Sequence, residues 1–151
     1  MEAFFQSLHR PLIWLCVLFF IVFYPMLISI YVFLPLLIGM MGYVMILGIE
    51  KEKLHYVLFS MVYFINLEVN LSLPLFLTII SSLLMYVMFY HHLTHFRRCQ
   101  VCKPILSVLL LDAFYLGSIL SYDFIFQSSS VVLDTILLYS LIVDMLMVVI
   151  L

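Results

Sequence analysis

Hydrophobic and polar positions divide this chain into long uncharged runs joined by short polar stretches. The first run, Pro11 to Ile49, contains no Asp, Glu, Lys, Arg or His. As one helix it would measure roughly 58 Å at about 1.5 Å per residue, nearly twice the roughly 30 Å of a bilayer core, so the pattern predicts a hairpin of two spans. Pro25 and Pro35 bracket its turn, "PMLISIYVFLP". Leu54 to Leu93 is again about two spans long. "NLSLP" is its break, because Asn and Ser favour local turn hydrogen bonds and Pro74 can open the next helix. Pro104 to about Tyr122 and Val131 to Leu151 supply two more spans, separated by "DFIFQSSS". The expected architecture is an all-α membrane domain of six helices near residues 12–30, 32–49, 54–71, 74–93, 104–122 and 131–151, with short loops. The ten-residue alternation of an outer-membrane barrel is absent.

Charge orients this arrangement. The basic residues Arg10, Lys51, Lys53, Arg97, Arg98 and Lys103 fall in the N-terminus and in the second and fourth loops, which share one side in a six-span chain. The positive-inside rule then predicts N-in, C-in topology with cytoplasmic basic loops. Arg10 followed by an apolar run is superficially like a secretion signal, but the run is too long and no small-residue cleavage site follows, so the first span is expected to be retained.

Composition agrees with lipid as the solvent: 68% of the 151 residues are hydrophobic and 9% charged, more apolar surface than a soluble domain of this size buries. A formal net charge of -2 argues against nucleic acid as a partner. The helices are poor in small residues, and Gly39 and Gly42 are the pair that would let the second span approach a neighbour closely.

Four acids lie in or at the edge of spans: Glu68, Asp112, Asp134 and Asp144. No Lys or Arg lies in any span to neutralise them. A carboxylate at the bilayer centre costs at least roughly 2.5 to 3.5 kcal/mol, so such residues face the protein interior and mark either function or a hydrogen-bonded packing site. Glu68 precedes the "NLSLP" turn and is read as an interfacial, snorkelling acid or as a partner-contact or helix-end site. Asn66 and Asn70 share one helix face, roughly 200° from Glu68, so the three do not cluster. Asp134, behind "QSSS", suits the first turn of the last helix, where an acid complements the dipole. Asp112 and Asp144 sit at similar depths on consecutive antiparallel helices and can face one another. Tyr115 at i+3 and Ser140 at i-4 are their hydroxyl partners on this reading. A pair meeting without a cation titrates as a unit, serving as packing glue or as a proton or cation site.

A second cluster is "HHLTHFRRCQVCK", residues 91–103. Cys99 and Cys102 have C-x-x-C spacing, and His91 and His95 are i, i+4, so a zinc site is geometrically conceivable. The preferred reading is a basic loop that meets anionic lipid headgroups through Arg97, Arg98 and Lys103, with its cysteines reduced and free. No metal or cofactor is expected. Cys16 reads as a small apolar residue of the first span. No nucleophile triad, glycine-rich phosphate loop or H-E-x-x-H occurs, so no enzyme is expected.

Small size, six spans and an acid followed by a Ser/Pro turn in "NLEVNLSLPLF" resemble the MreD family of bacterial rod-shape proteins. Glu68 takes the place of that family's acid, and Ser72, Pro74 and Leu75 its turn; "LLYSLIVDMLMVVIL" resembles its last helix in character. The resemblance implies a non-enzymatic subunit of the bacterial inner membrane that binds MreC and works with the MreB filament, RodA and penicillin-binding proteins in cell-wall elongation. It also implies a fold similar to the six-helix substrate-binding subunits of vitamin transporters. Two functions stay open: an assembly subunit, and a small transporter or transporter subunit whose acids line a cavity.

Overall fold

The computed structural model describes residues 11–31, 33–95, 102–127 and 135–150. Among them it shows six helices and no strand: α1 (Pro11–Ile30), α2 (Ile38–Glu50), α3 (Leu54–Asn70), α4 (Leu77–His95), α5 (Cys102–Phe126) and α6 (Thr135–Ile150). Two stretches, Ile13–Ile30 and Cys102–Phe126, are long and apolar enough to cross a membrane, whereas Ile38–Glu50, Leu77–Phe89 and Leu138–Ile150 are apolar but shorter. Large apolar side chains such as Leu15, Phe33, Val87, Phe124 and Ile150 stand on the outer surface of the bundle, the kind of surface that marks contact with a membrane or with other protein.

The shortest of the six helices, α2, is the central one. α2 packs against α3, α4, α5 and α6, and nine of its thirteen residues are buried, as a helix apolar all round requires. Its tight fit depends on glycine: a Cβ on Gly39 would lie 2.7 Å from Val108 Cγ1, and one on Gly42 3.0 Å from Leu111 Cδ1. The glycine pair therefore admits side chains of α5, not another backbone. One core cluster joins Ile21, Ile28, Leu37, Ile38, Tyr63, Phe64, Leu67 and Tyr115. A second joins Tyr43, Ile46, Leu47, Met85, Val108, Leu111 and Val148 towards the other end of α2.

α2 begins at Ile38, six residues after the expected start of the second span at 32. Pro35 has no N–H to give a helix, and Leu37 adopts the left-handed conformation at φ 51°, so residues 33–37 are non-helical. Pro25, by contrast, is accommodated inside α1. Its missing N–H strands the carbonyl of Ile21, four residues back. Asn66 of α3 answers this: its Nδ2 donates to Ile21 O at 3.3 Å and to Val22 O at 2.8 Å. Asn70 Nδ2 in turn donates to Asn66 Oδ1 at 2.8 Å, holding the Asn66 amide in place. Pro74 likewise does not open a helix; the next one starts at Leu77, after a left-handed Phe76 (φ 66°).

The ends of α2 and α5 meet at an ion pair, Lys103 Nζ to Glu50 Oε1 at 2.8 Å and Oε2 at 2.9 Å. This pair sets the 51–53 turn and the start of α5 at the same end of the bundle. Lys103, expected to face lipid headgroups, instead binds a carboxylate of its own chain. Arg10, Arg97 and Arg98 lie outside the described residues.

Candidate functional site

Two of the buried acids, Glu68 and Asp144, share one arrangement: each caps the start of a helix other than its own. A helix N-terminus presents amide groups with no intrahelical partner, and in an apolar interior each needs an acceptor. The residues that precede α2 and α4 are Leu37 and Phe76, whose side chains have nothing to offer an amide.

At α4 the acceptor is Glu68. Its Oε2 receives the Phe76 N–H at 2.6 Å, and its Oε1 receives the Thr78 N–H at 2.7 Å and the Thr78 Oγ1 hydroxyl at 2.5 Å. The side chain is 0% exposed. A snorkelling glutamate is therefore not what forms, because the turn folds its amides back over the carboxylate; of the two readings of the sequence, the helix-end site matches these contacts. Within the turn, Leu73 N donates to Glu68 O at 2.9 Å, so the same residue serves both the end of α3 and the start of α4. Positive charge from the α4 dipole and three charge-assisted hydrogen bonds replace the missing cation. Asn66 bonds to α1 and Asn70 to Asn66, apart from Glu68, as the helical angle demands. Thr78, which sequence reasoning passed over, also receives Ser81 Oγ at 2.9 Å and Ser82 Oγ at 2.7 Å on its carbonyl. A threonine directly after a turn was the signal for it.

At α2 the acceptor is Asp144 of α6. Its Oδ2 receives the Gly39 N–H at 2.9 Å, with the Met40 amide also directed at its carboxylate. Asp112 of α5 comes to the same point: a Cβ on Gly39 would lie 2.9 Å from both of its oxygens. The two acids thus converge, as their depths foretold, but on the backbone of α2. Ser140 does not serve Asp144; its Oγ accepts the Leu36 N–H at 3.0 Å. The rest of the 35–37 stretch is satisfied by tyrosines, with Tyr24 Oη donating to Pro35 O at 2.8 Å and Tyr63 Oη to Leu36 O at 2.8 Å. Neither tyrosine stood out in the sequence, where aromatic residues are everywhere.

Two oxygens in this cradle have no partner, Asp112 Oδ2 and Asp144 Oδ1. Asp112 is 9% exposed and Asp144 1%. Beside Asp112 lies a cavity of about 20 Å³ lined by Leu36, Ile38, Tyr115, Ser140 and Leu141, room for a single water.

The other predicted residues are not drawn into this site. Asp134 and Cys99 lie outside the described residues, as do the side chains of His91 and His95. Cys102, exposed at the first position of α5, is disulfide-bonded, a correction to the free thiol expected there. Among the described residues no three His, Cys, Asp or Glu side chains group as metal ligands. A shallower feature lies on the outer surface, an open groove of about 480 Å³ between α4 and α5 lined by Leu84, Leu110, Ala113, Phe114, Gly117, Ser118 and Ser121. No family model matches the chain, and no curated protein or solved structure does.

Proposed function

We propose that this chain is a six-span, N-in/C-in membrane subunit that acts by docking other membrane proteins, without enzymatic chemistry of its own. The observation that carries this reading is the surface groove on α5. Ala113, Gly117 and Ser121 follow at four-residue intervals, and a Cβ on Gly117 would meet no atom within 4 Å. Ser118 Oγ donates to Phe114 O at 2.8 Å and Ser121 Oγ to Gly117 O at 2.7 Å. Their hydroxyls are satisfied within α5, leaving a small-residue face with apolar walls, the kind of surface on which a second transmembrane helix packs closely. The buried acids, by contrast, bind the chain's own backbone. The cavity beside them has room for a water, not for a vitamin-sized ligand, which favours assembly over transport.

The finer identity is an MreD-like subunit of the bacterial inner membrane, acting in cell-wall elongation with MreC, RodA or a penicillin-binding protein. It rests on the resemblance of "NLEVNLSLPLF". The Glu68 contacts give that motif a physical sense, since the acid and the turn after it work as one capping device. The one-ended placement of the 51–53 turn and Lys103 is consistent with a basic cytoplasmic face.

The test is crosslinking in the native membrane, then purification of tagged protein in mild detergent and mass spectrometry, with Gly117→Leu alongside. The reading expects MreC or wall-synthesis proteins with the wild type and their loss with Gly117→Leu, whose fold should be intact. Recovery of an ATPase module, or of no partner, would overturn it in favour of a transporter using the intramembrane carboxylates.

A further inference from the structure

The cradle at the start of α2 holds two carboxyl groups and too little positive charge for both. Independently of any docking role, we propose that Asp112 and Asp144 together bind one exchangeable proton, carried on Asp112 Oδ2 while Asp144 remains ionised against the N-terminus of α2.

The asymmetry comes from the hydrogen bonds. The Gly39 amide faces both acids, but its N–H lies 2.9 Å from Asp144 Oδ2 and the Met40 amide is turned towards Asp144 as well, so the first turn of α2 stabilises a negative charge on Asp144 more than on Asp112. An α-helix N-terminus supplies about half an elementary charge, enough to balance one buried carboxylate in part and not two. Asp112 Oδ2 and Asp144 Oδ1 are buried without a partner. A proton on Asp112 turns one orphan acceptor into a donor, and the other orphan, Asp144 Oδ1, is an acceptor.

Among the described residues no other group near the pair provides the charge. The titratable side chains around it are Tyr115 on α5, Tyr24 on α1, Tyr63 on α3 and, one step further out, Glu68 on α3 and Tyr139 on α6, none of them cationic. Lys51, Lys53 and Lys103 lie at the opposite end of α2, thirteen residues or about 20 Å away. A metal ion fits poorly, since it would sit against the positive end of the helix. In the cavity lining the side-chain oxygens are those of Asp112, Tyr115 and Ser140, and Ser140 Oγ already accepts from Leu36. The water-sized space beside Asp112 gives the proton a place to exchange.

Infrared spectroscopy of purified protein in lipid reads this directly through the carbonyl stretch of a protonated carboxyl. At neutral pH the wild type should show such a band, shifting in D2O and disappearing at alkaline pH. Asp112→Asn should lose it, with unchanged helical content by circular dichroism. Absence of the band from the wild type, or its persistence in Asp112→Asn, would overturn the proposal. The wild-type titration stands even if a variant fails to fold. Repeating it with choline chloride in place of sodium chloride separates the ligands: an unchanged band supports a proton, whereas a band suppressed by sodium means that a metal ion occupies the pair and the proposal fails.

Discussion

Replacing Glu68 by glutamine keeps the size of the side chain and removes one of its two acceptors. In the structure Oε2 serves the Phe76 amide and Oε1 serves Thr78 through both its amide and its hydroxyl. Whichever way the glutamine amide turns, its NH2 group faces a backbone N–H that has no other partner. A buried donor left unsatisfied costs about 1–3 kcal/mol, and the remaining hydrogen bonds lose their charge assistance. Glu68→Gln should therefore destabilise by about 2–3 kcal/mol. Glu68→Ala strands both backbone amides and should cost roughly 2–6 kcal/mol on the same scale. Left-handed Phe76 is held by this carboxylate, so the turn before α4 should open first. Reversible denaturant unfolding in mild detergent measures the loss, with the single tryptophan as reporter: Trp14 packs on Phe59 of α3 with ring centroids 5.0 Å apart. Thr78→Val completes a double-mutant cycle, with coupling of at least about 0.5 kcal/mol expected between the two sites. A Gln variant within about 0.5 kcal/mol of wild type, the range of an ordinary surface substitution, would refute the capping argument.

Asn66→Leu strands the Ile21 carbonyl and should cost about 1–3 kcal/mol; in a Pro25→Ala background, where α1 regains an N–H for Ile21, the cost should shrink, and equal costs in both backgrounds would show that the asparagine does not answer the proline. Gly39→Ala forces a Cβ to within 2.7 Å of Val108 Cγ1 and 2.9 Å of the Asp112 oxygens and should destabilise by about 1–3 kcal/mol in the same unfolding assay. Gly117→Ala, with open space around it, should be neutral or gain up to about 1 kcal/mol from helix propensity. The Glu50 and Lys103 side chains, 17% and 22% exposed, should show a coupling of at most about 1 kcal/mol that fades as salt is raised; a salt-independent coupling would contradict their partial exposure.

Much of this molecule follows from local sequence. Long uncharged runs, prolines at their breaks and charge confined to a few loops determine that the chain is helical and where its helices roughly lie, because hydrophobic length and the missing proline N–H act within a few residues. The separation of Glu68 from Asn66 and Asn70 was equally legible, being fixed by the 100° step of a helix. The similar depth of Asp112 and Asp144 followed from counting residues along two antiparallel helices.

What the acids do was decided only by the tertiary structure. An N-cap is readable when the capping side chain belongs to the helix it caps; here Leu37 and Phe76 stand where a Ser or Asp would announce a cap, and the acceptors come from elsewhere. Glu68 reaches amides eight and ten residues ahead only because the turn doubles back, and Asp144 meets Gly39 from 105 residues away. Asn66 answers a carbonyl that Pro25 strands on a different helix. Each buried backbone group without a helical partner must find one inside the bundle, since the apolar interior offers none. Sequence determined which groups were left over; which side chain satisfied each depended on how α2 settled among its neighbours.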